Sequence, residues 1–203
     1  CVLNYVVTSN HIHLLVKDTG NNVIPDSMQL IASRTAQQYN LRKKRTGAFW
    51  EDRYHATVIE SDQHLFQCLV YIDMNMIRAG AVDRPAQWRH GGYTEIQQPL
   101  NRYSIIDTRA LMELGGFNKL HLLQTAHKEW LECEIRKTPS KRQPLWSDSI
   151  AVGSQQFVEQ IKETLGVRAT GRKKGIIDDK FILKEPDVSY NPHFGAEKTI
   201  LSD

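Results

Sequence analysis

The stretch SNHIHLLV, Ser9–Val16, sets two imidazoles one residue apart and follows them with an apolar run. In an extended segment successive side chains point to opposite faces. His11 and His13 therefore share one face, about 7 Å apart along the strand, with Ile12 and Leu14 on the other. Two imidazoles so placed can share a divalent metal ion if other groups complete its shell. The helical run CLVYIDMNMIRAG, Cys68–Gly80, supplies the best candidates. Tyr71 and Asn75 are four residues apart, so they occupy one helical face a turn from each other. Asn75 offers an amide oxygen, a hard ligand suited to magnesium or manganese. Tyr71 offers a phenol. Asp73 lies on a different face and fits the set less well. Taken alone, each pattern also has a plain reading: two histidines that happen to alternate, and an aromatic that packs on an amphipathic helix.

These residues need elements to position them. CVLNYVV (Cys1–Val7) and HIHLLVK (His11–Lys17) read as strands joined by turn chemistry, hence a hairpin. A helix is expected from about Pro25 to Asn40, capped by Asp26 or Ser27 and broken by RKKRTG. RYHATVIE (Arg53–Glu60) alternates into a third strand. Ser61 then caps a helix ended by Gly80, with Leu65, Cys68, Leu69, Ile72 and Met76 as its apolar stripe. The order strand, strand, helix, strand, helix describes an α+β layer with helices packed on an antiparallel sheet. Beyond Pro99 the pattern turns mainly helical, over about Ile106–Leu114, Leu120–Ile135 and Ser154–Leu165. Thr138–Pro144 reads as a linker, and the chain from Gly171 on as a loose tail. The organisation expected is 1–98, 99–170 and 171–203.

The 203 residues, 40% hydrophobic, supply a real core, and a net charge of +3 does not by itself point to a nucleic-acid partner. The distribution says more: basic residues gather at Leu41–Arg45, Arg136–Arg142 and Arg168–Lys174. Arg42, Lys43, Lys44, Arg45 and Arg53 surround Phe49, Trp50 and Tyr54, a mixture suited to phosphates and stacked bases of a single strand or hairpin. Phe49 and Trp50 are equally readable as packing residues. Arg78 is placed either to reach a phosphate or to meet a helix C-terminus. Three scattered cysteines suggest neither a disulfide framework nor a metal site and fit a reducing cytoplasm. No apolar run is long enough to span a membrane.

NYVVTSNHIHLLV, RTGAFWEDRYHATVI and YIDMNMIRAGAV, in that order, resemble the HUH single-tyrosine transposases, most closely the REP-associated tyrosine transposase group. The likeness covers roughly Val2 to Tyr93, and PLWSDSIAVGSQQFVEQI (Pro144–Ile161) weakly resembles that group's C-terminal region. It implies a ferredoxin-like antiparallel sheet with packed helices. It implies a divalent metal, Mg or Mn, on His11, His13 and Asn75, with Tyr71 as the nucleophile of a bacterial mobile-element enzyme. The reaction implied is cleavage and transfer of single-stranded DNA through a 5′-phosphotyrosine link, at hairpins or palindromic repeats, by a monomer or homodimer.

Two positions depart from the family pattern: Ser9 where a proline is usual, and Met76 after Asn75 where a proline often follows. Neither removes a ligand. The likeness also begins at the family's second strand, so the expectation is a chain that lacks the first strand and helix, exposes a strand edge, and is unstable or inactive alone. The competing expectation is a relative that binds DNA hairpins without cutting them. A metal-binding domain with no nucleic-acid partner ranks third.

Overall fold

The computed structural model describes residues 1–61, 63–137 and 144–184. β1 (Val2–Val7) and β2 (Ile12–Val16) form the expected antiparallel hairpin, with Val6 opposite His13. Thr8 closes its turn: its N–H donates to the His11 carbonyl at 2.9 Å, and its hydroxyl accepts the His11 N–H at 3.1 Å.

The first helix, α1 (Val23–Lys43), starts before Pro25 and outlasts Asn40. Pro25 falls in its first turn, where a missing N–H costs no helical bond. The expected Asp26 or Ser27 cap is not the one used; Asn22, at φ 58°, is the N-cap and makes no side-chain bond. Lys44, at φ 50°, ends the helix. No residue of α1 is buried. Its half-buried side, including Ala32 and Tyr39, is covered by the following loop. Trp50 Nε1 donates to the Ala32 carbonyl at 2.9 Å, and the Tyr39 and Phe49 rings lie 4.6 Å apart.

The third strand is shorter than Arg53–Glu60: β3 is only Val58–Ile59. The residues before it are tied by side chains instead of a ladder. His55 Nε2 and Thr57 Oγ1 both donate to the Ser149 carbonyl, at 2.9 and 2.5 Å. α2 (Gln63–Asp73) and α3 (Asn75–Arg78) form the expected helix in two segments, ending before Gly80 at φ 67°. All five stripe residues are buried. The expected Ser61 cap borders Asp62, which lies outside the described residues.

The remaining elements are α4 (Tyr93–Gln97), α5 (Thr108–Leu114), α6 (Leu120–Arg136), α7 (Pro144–Ser147), β4 (Ser149–Gly153), α8 (Gln155–Leu165), β5 (Lys173–Ile177) and β6 (Lys180–Lys184). The fold is α+β. The described residues form two sheets: the β1–β2 hairpin, and a sheet of order β3-β4-β6-β5 in which β3 and β4 run parallel and the other pairs antiparallel. β3 thus joins the second sheet and not the hairpin.

The helices after Pro99 fall where expected, but three strands among them were not anticipated. SIAVG of β4 is buried at every position, and a short, continuously apolar run does not distinguish strand from helix. The loose tail expected from Gly171 is instead a hairpin as far as Lys184, turned at Asp178 and Asp179 with φ 48° and 60°. That is the positive-φ pair of a tight two-residue hairpin turn, for which aspartate is tolerated. Residues 185–203, and the linker over 138–143, lie outside the described residues.

The main core does not divide at residue 98. Leu3, Val6 and Leu15 of the hairpin and Leu69 and Ile72 of α2 share it with Leu111, Leu123, Trp146 and Val152. The outer edge of β1 is satisfied by the chain around His90–Asp107: Val7 N–H donates to His90, Gly92 N–H to Tyr5 and Asp107 N–H to Val2, each at 2.8 Å. No strand among the described residues pairs with the outer edge of β2. All three cysteines are free, and no helix among the described residues is long and apolar enough to cross a membrane.

Candidate active site

One face of β2 descends from solvent into the core: His11 is exposed, His13 half-buried and Leu15 buried. The alternation expected from the sequence therefore holds. α2 packs against this hairpin and carries Tyr71 to it. The His11 and His13 ring centroids lie 4.9 Å apart, and the His13 and Tyr71 centroids 5.9 Å apart, both edge to face. His11 Nδ1 lies 2.8 Å from Asn10 Oδ1. An amide oxygen only accepts, so Nδ1 is the donor in this pair. That is the way a ligating imidazole is usually oriented by a neighbour.

Tyr71 is buried, 7% exposed, among three groups. Besides His13, the Trp146 ring centroid lies 6.2 Å away and the Arg78 guanidinium carbon 4.3 Å from the ring centre. Arg78 also donates to the Tyr71 carbonyl, in the last turn of α2. Of the two roles open to Arg78, the structure displays the helix-terminus one. Burial pushes its guanidinium below the usual range, while Tyr71 and then Glu134 push the other way. Asn75 opens α3 one turn beyond Tyr71 and is half-buried.

A buried polar chain fastens this arrangement. Asn4 Nδ2 on β1 donates to the Leu69 carbonyl at 3.2 Å and to Asp73 Oδ1 at 3.1 Å, both on α2. His127 of α6, fully buried, meets Asp73 Oδ2 through Nε2 at 2.7 Å. Gln97 Nε2 donates to His127 Nδ1 at 3.1 Å. Nε2 must then be the protonated nitrogen of His127, and the chain is satisfied from end to end. Sequence reasoning set Asp73 aside as a ligand and missed this use. The available signal was a carboxylate inside the apolar run CLVYIDMNM, since a buried carboxylate demands a partner.

The basic residues sit on the end of α1 and the loop that follows it. Arg42 and Lys43 end α1, and with Lys44, Arg45 and Arg53 they are exposed. The Arg42 and Arg45 guanidinium carbons sit 5.9 and 5.8 Å from the Tyr39 ring centre. Phe49 and Trp50 pack on α1, so of the two readings open for them, packing is the one observed.

Among the described residues no group of three or more His, Cys, Asp or Glu side chains is arranged to hold a metal ion. A set of two imidazoles and one carboxamide is of another kind.

No curated protein and no solved structure matches this chain. A family model does: residues 1–75 match the family described as Transposase IS200 like. The span ends at Asn75 and so includes both histidines and Tyr71. Over residues 1–75, the chain is thus similar to the IS200-like transposase family.

Proposed function

We propose that this chain is a single-stranded DNA endonuclease and strand-transfer enzyme acting through Tyr71. The observation that carries this reading is the edge contact between Tyr71 on α2 and His13 on β2, with His11 beside it. The oxygen of Tyr71 attacks a backbone phosphorus. The bond to the 3′-oxygen breaks, a proton goes to the departing 3′-OH, and the 5′ end remains linked to the phenol. The reverse attack by a 3′-OH joins strands and returns the proton to Tyr71. The link conserves the phosphodiester's bond energy, so no nucleotide is consumed.

A divalent cation, when bound, neutralises phosphate charge and polarises a phosphoryl oxygen. His11, His13 and Asn75 are proposed to hold it, with Mg or Mn favoured by the amide oxygen. The exposed cations Arg42, Lys43, Lys44, Arg45 and Arg53 are proposed to meet the phosphates of a strand or hairpin.

One observation favours a second reading, DNA binding without cleavage. Tyr71 is only 7% exposed and lies beside the His13 and Trp146 rings, which leaves little of the residue open to a strand. Labelled single strands carrying palindromic repeats, incubated with the protein with and without manganese, separate the two. The first reading expects a protein–DNA band that survives denaturation, needs the cation, and is lost in Tyr71→Phe with strand affinity kept. Strand binding without that band under any condition establishes the second.

A further inference from the structure

We infer that Arg78 is a positioning residue for Tyr71, gripping its ring and its backbone with one guanidinium and so setting the ring's attitude towards His13. This deepens the reading above and rests on it. Arg78 follows Tyr71 by seven residues, two helical turns, and helical side chains lean towards the N-terminus. A long side chain on α3 thus reaches back over the end of α2. Its guanidinium carbon stands 4.3 Å from the Tyr71 ring centre, within cation–π range, while an N–H of the same group donates to the Tyr71 carbonyl. That carbonyl is in the last turn of α2, where helical partners run out.

The grip holds both ends of one residue. The carbonyl bond fixes the backbone, and the stacked plane limits rotation of the ring. Trp146 and His13 bound it at 6.2 and 5.9 Å. Only a planar, multi-donor cation stacks and donates at once, so lysine retains the charge but cannot do both. A guanidinium engaged this way serves the reacting residue and not the strand at large. Its loss should therefore appear in the rate of phosphotyrosine formation and leave strand affinity alone.

The test uses the full chain with Arg78→Met, which keeps packing and removes charge and donors, and Arg78→Lys. Ring signals of Tyr71 in carbon-13 tyrosine NMR are assigned by their absence in Tyr71→Phe. Strand affinity is read by anisotropy with a labelled palindromic single strand, and the covalent step by single-turnover band formation. Arg78→Met is expected to shift the Tyr71 signals and slow the covalent step on the order of 100-fold, the scale of a lost orientation. Affinity should stay within about twofold, the range of an untouched interaction. Arg78→Lys should fall between. Unmoved Tyr71 signals overturn the inference, as does an affinity loss matching the rate loss, which makes Arg78 a phosphate ligand. If Arg78→Met fails to fold, Arg78→Lys decides: an intermediate rate and shifted signals support the grip, wild-type values refute it. If wild-type protein forms no covalent band, the cleavage reading fails, while the NMR signals still decide whether Arg78 holds the ring.

Discussion

The cluster around Tyr71 and the arm formed by α1 with its following loop are built on opposite plans. The cluster is assembled from residues distant in sequence, runs from exposed His11 to buried Tyr71, and is backed by side-chain hydrogen bonds between β1, α2, α4 and α6. The arm is local: the bonds and ring contacts that shape it join residues within about one loop of each other, and none of the α1 residues is buried. The difference is the one the two proposed roles would require. Covalent chemistry needs fixed distances, which burial and polar pairing supply. Binding a polyanion needs charges in water and some freedom to adapt, which a solvated helix end supplies.

On that contrast, stability is concentrated in the first region. Asp73→Ala removes the carboxylate that meets His127 Nε2 and one partner of Asn4. Buried groups left unpaired are costly, so the loss should be about 3 kcal/mol in a urea melt. A melt as firm as the wild type would mean that the chain of buried bonds is incidental to the fold. The arm should behave the other way. Arg42→Gln, Lys43→Gln and Lys44→Asn together, the last chosen because asparagine tolerates φ 50°, should leave the melt within roughly 0.5 kcal/mol. Strand affinity at low salt should fall on the order of tenfold or more, and the slope of affinity against salt by ~0.7 for each phosphate no longer neutralised. An unchanged slope would take the arm out of the DNA interface.

The same contrast explains what was legible in the sequence. His11, His13 and Tyr71 were readable because each depends on a period, two residues for a strand and 3.6 for a helix, and the two elements do meet. The arm's helix was readable for the same reason. The Asp73–His127 pair spans 54 residues and the Asn4–Asp73 bond 69, and no local pattern encodes such a meeting. Trp146 beside Tyr71 was hidden likewise, by a segment whose only local signal was weak. β3 and β4 were misread or missed because each has little meaning without the other: Val58 and Ile59 are a strand only through Ala151 and Val152.

A smaller change tests how tightly the hairpin is held. A Cβ on Gly92 would stand 2.2 Å from Asn4 Oδ1 and 2.6 Å from Ile106 Cδ1. Gly92→Ala therefore pushes on the residue that ties β1 to α2, and should cost about 1–3 kcal/mol, the usual range for overpacking. In the arm, no heavy atom lies within 4 Å of a Cβ built on Gly47, so Gly47→Ala meets only its φ of 94°. That backbone strain should cost less than the Gly92 change. Equal losses at both would deny that the hairpin is the tighter region.

At neutral pH the least visible effect is a pH dependence from α2 itself, because it sets in only above pH 9.0. Cys68 lies in the buried stripe, and burial pushes its thiol up from the ordinary 9.0 to about 12. The folded state thus holds this proton more firmly than the unfolded chain. The stability linked to it is complete below pH 9.0 and is lost as pH rises from there towards about 12. Stability measured by denaturant should decline over that window, and Cys68→Ala should flatten the decline while lowering stability below it through poorer packing. Alkylation gives an independent reading on the native protein. Cys133, exposed on α6, should react at once, and Cys68 only as fast as the core opens. If Cys68 reacts as quickly as Cys133, the helix that carries Tyr71 is not held as its burial implies, and the distinction between a fixed cluster and a free arm fails at its fixed end.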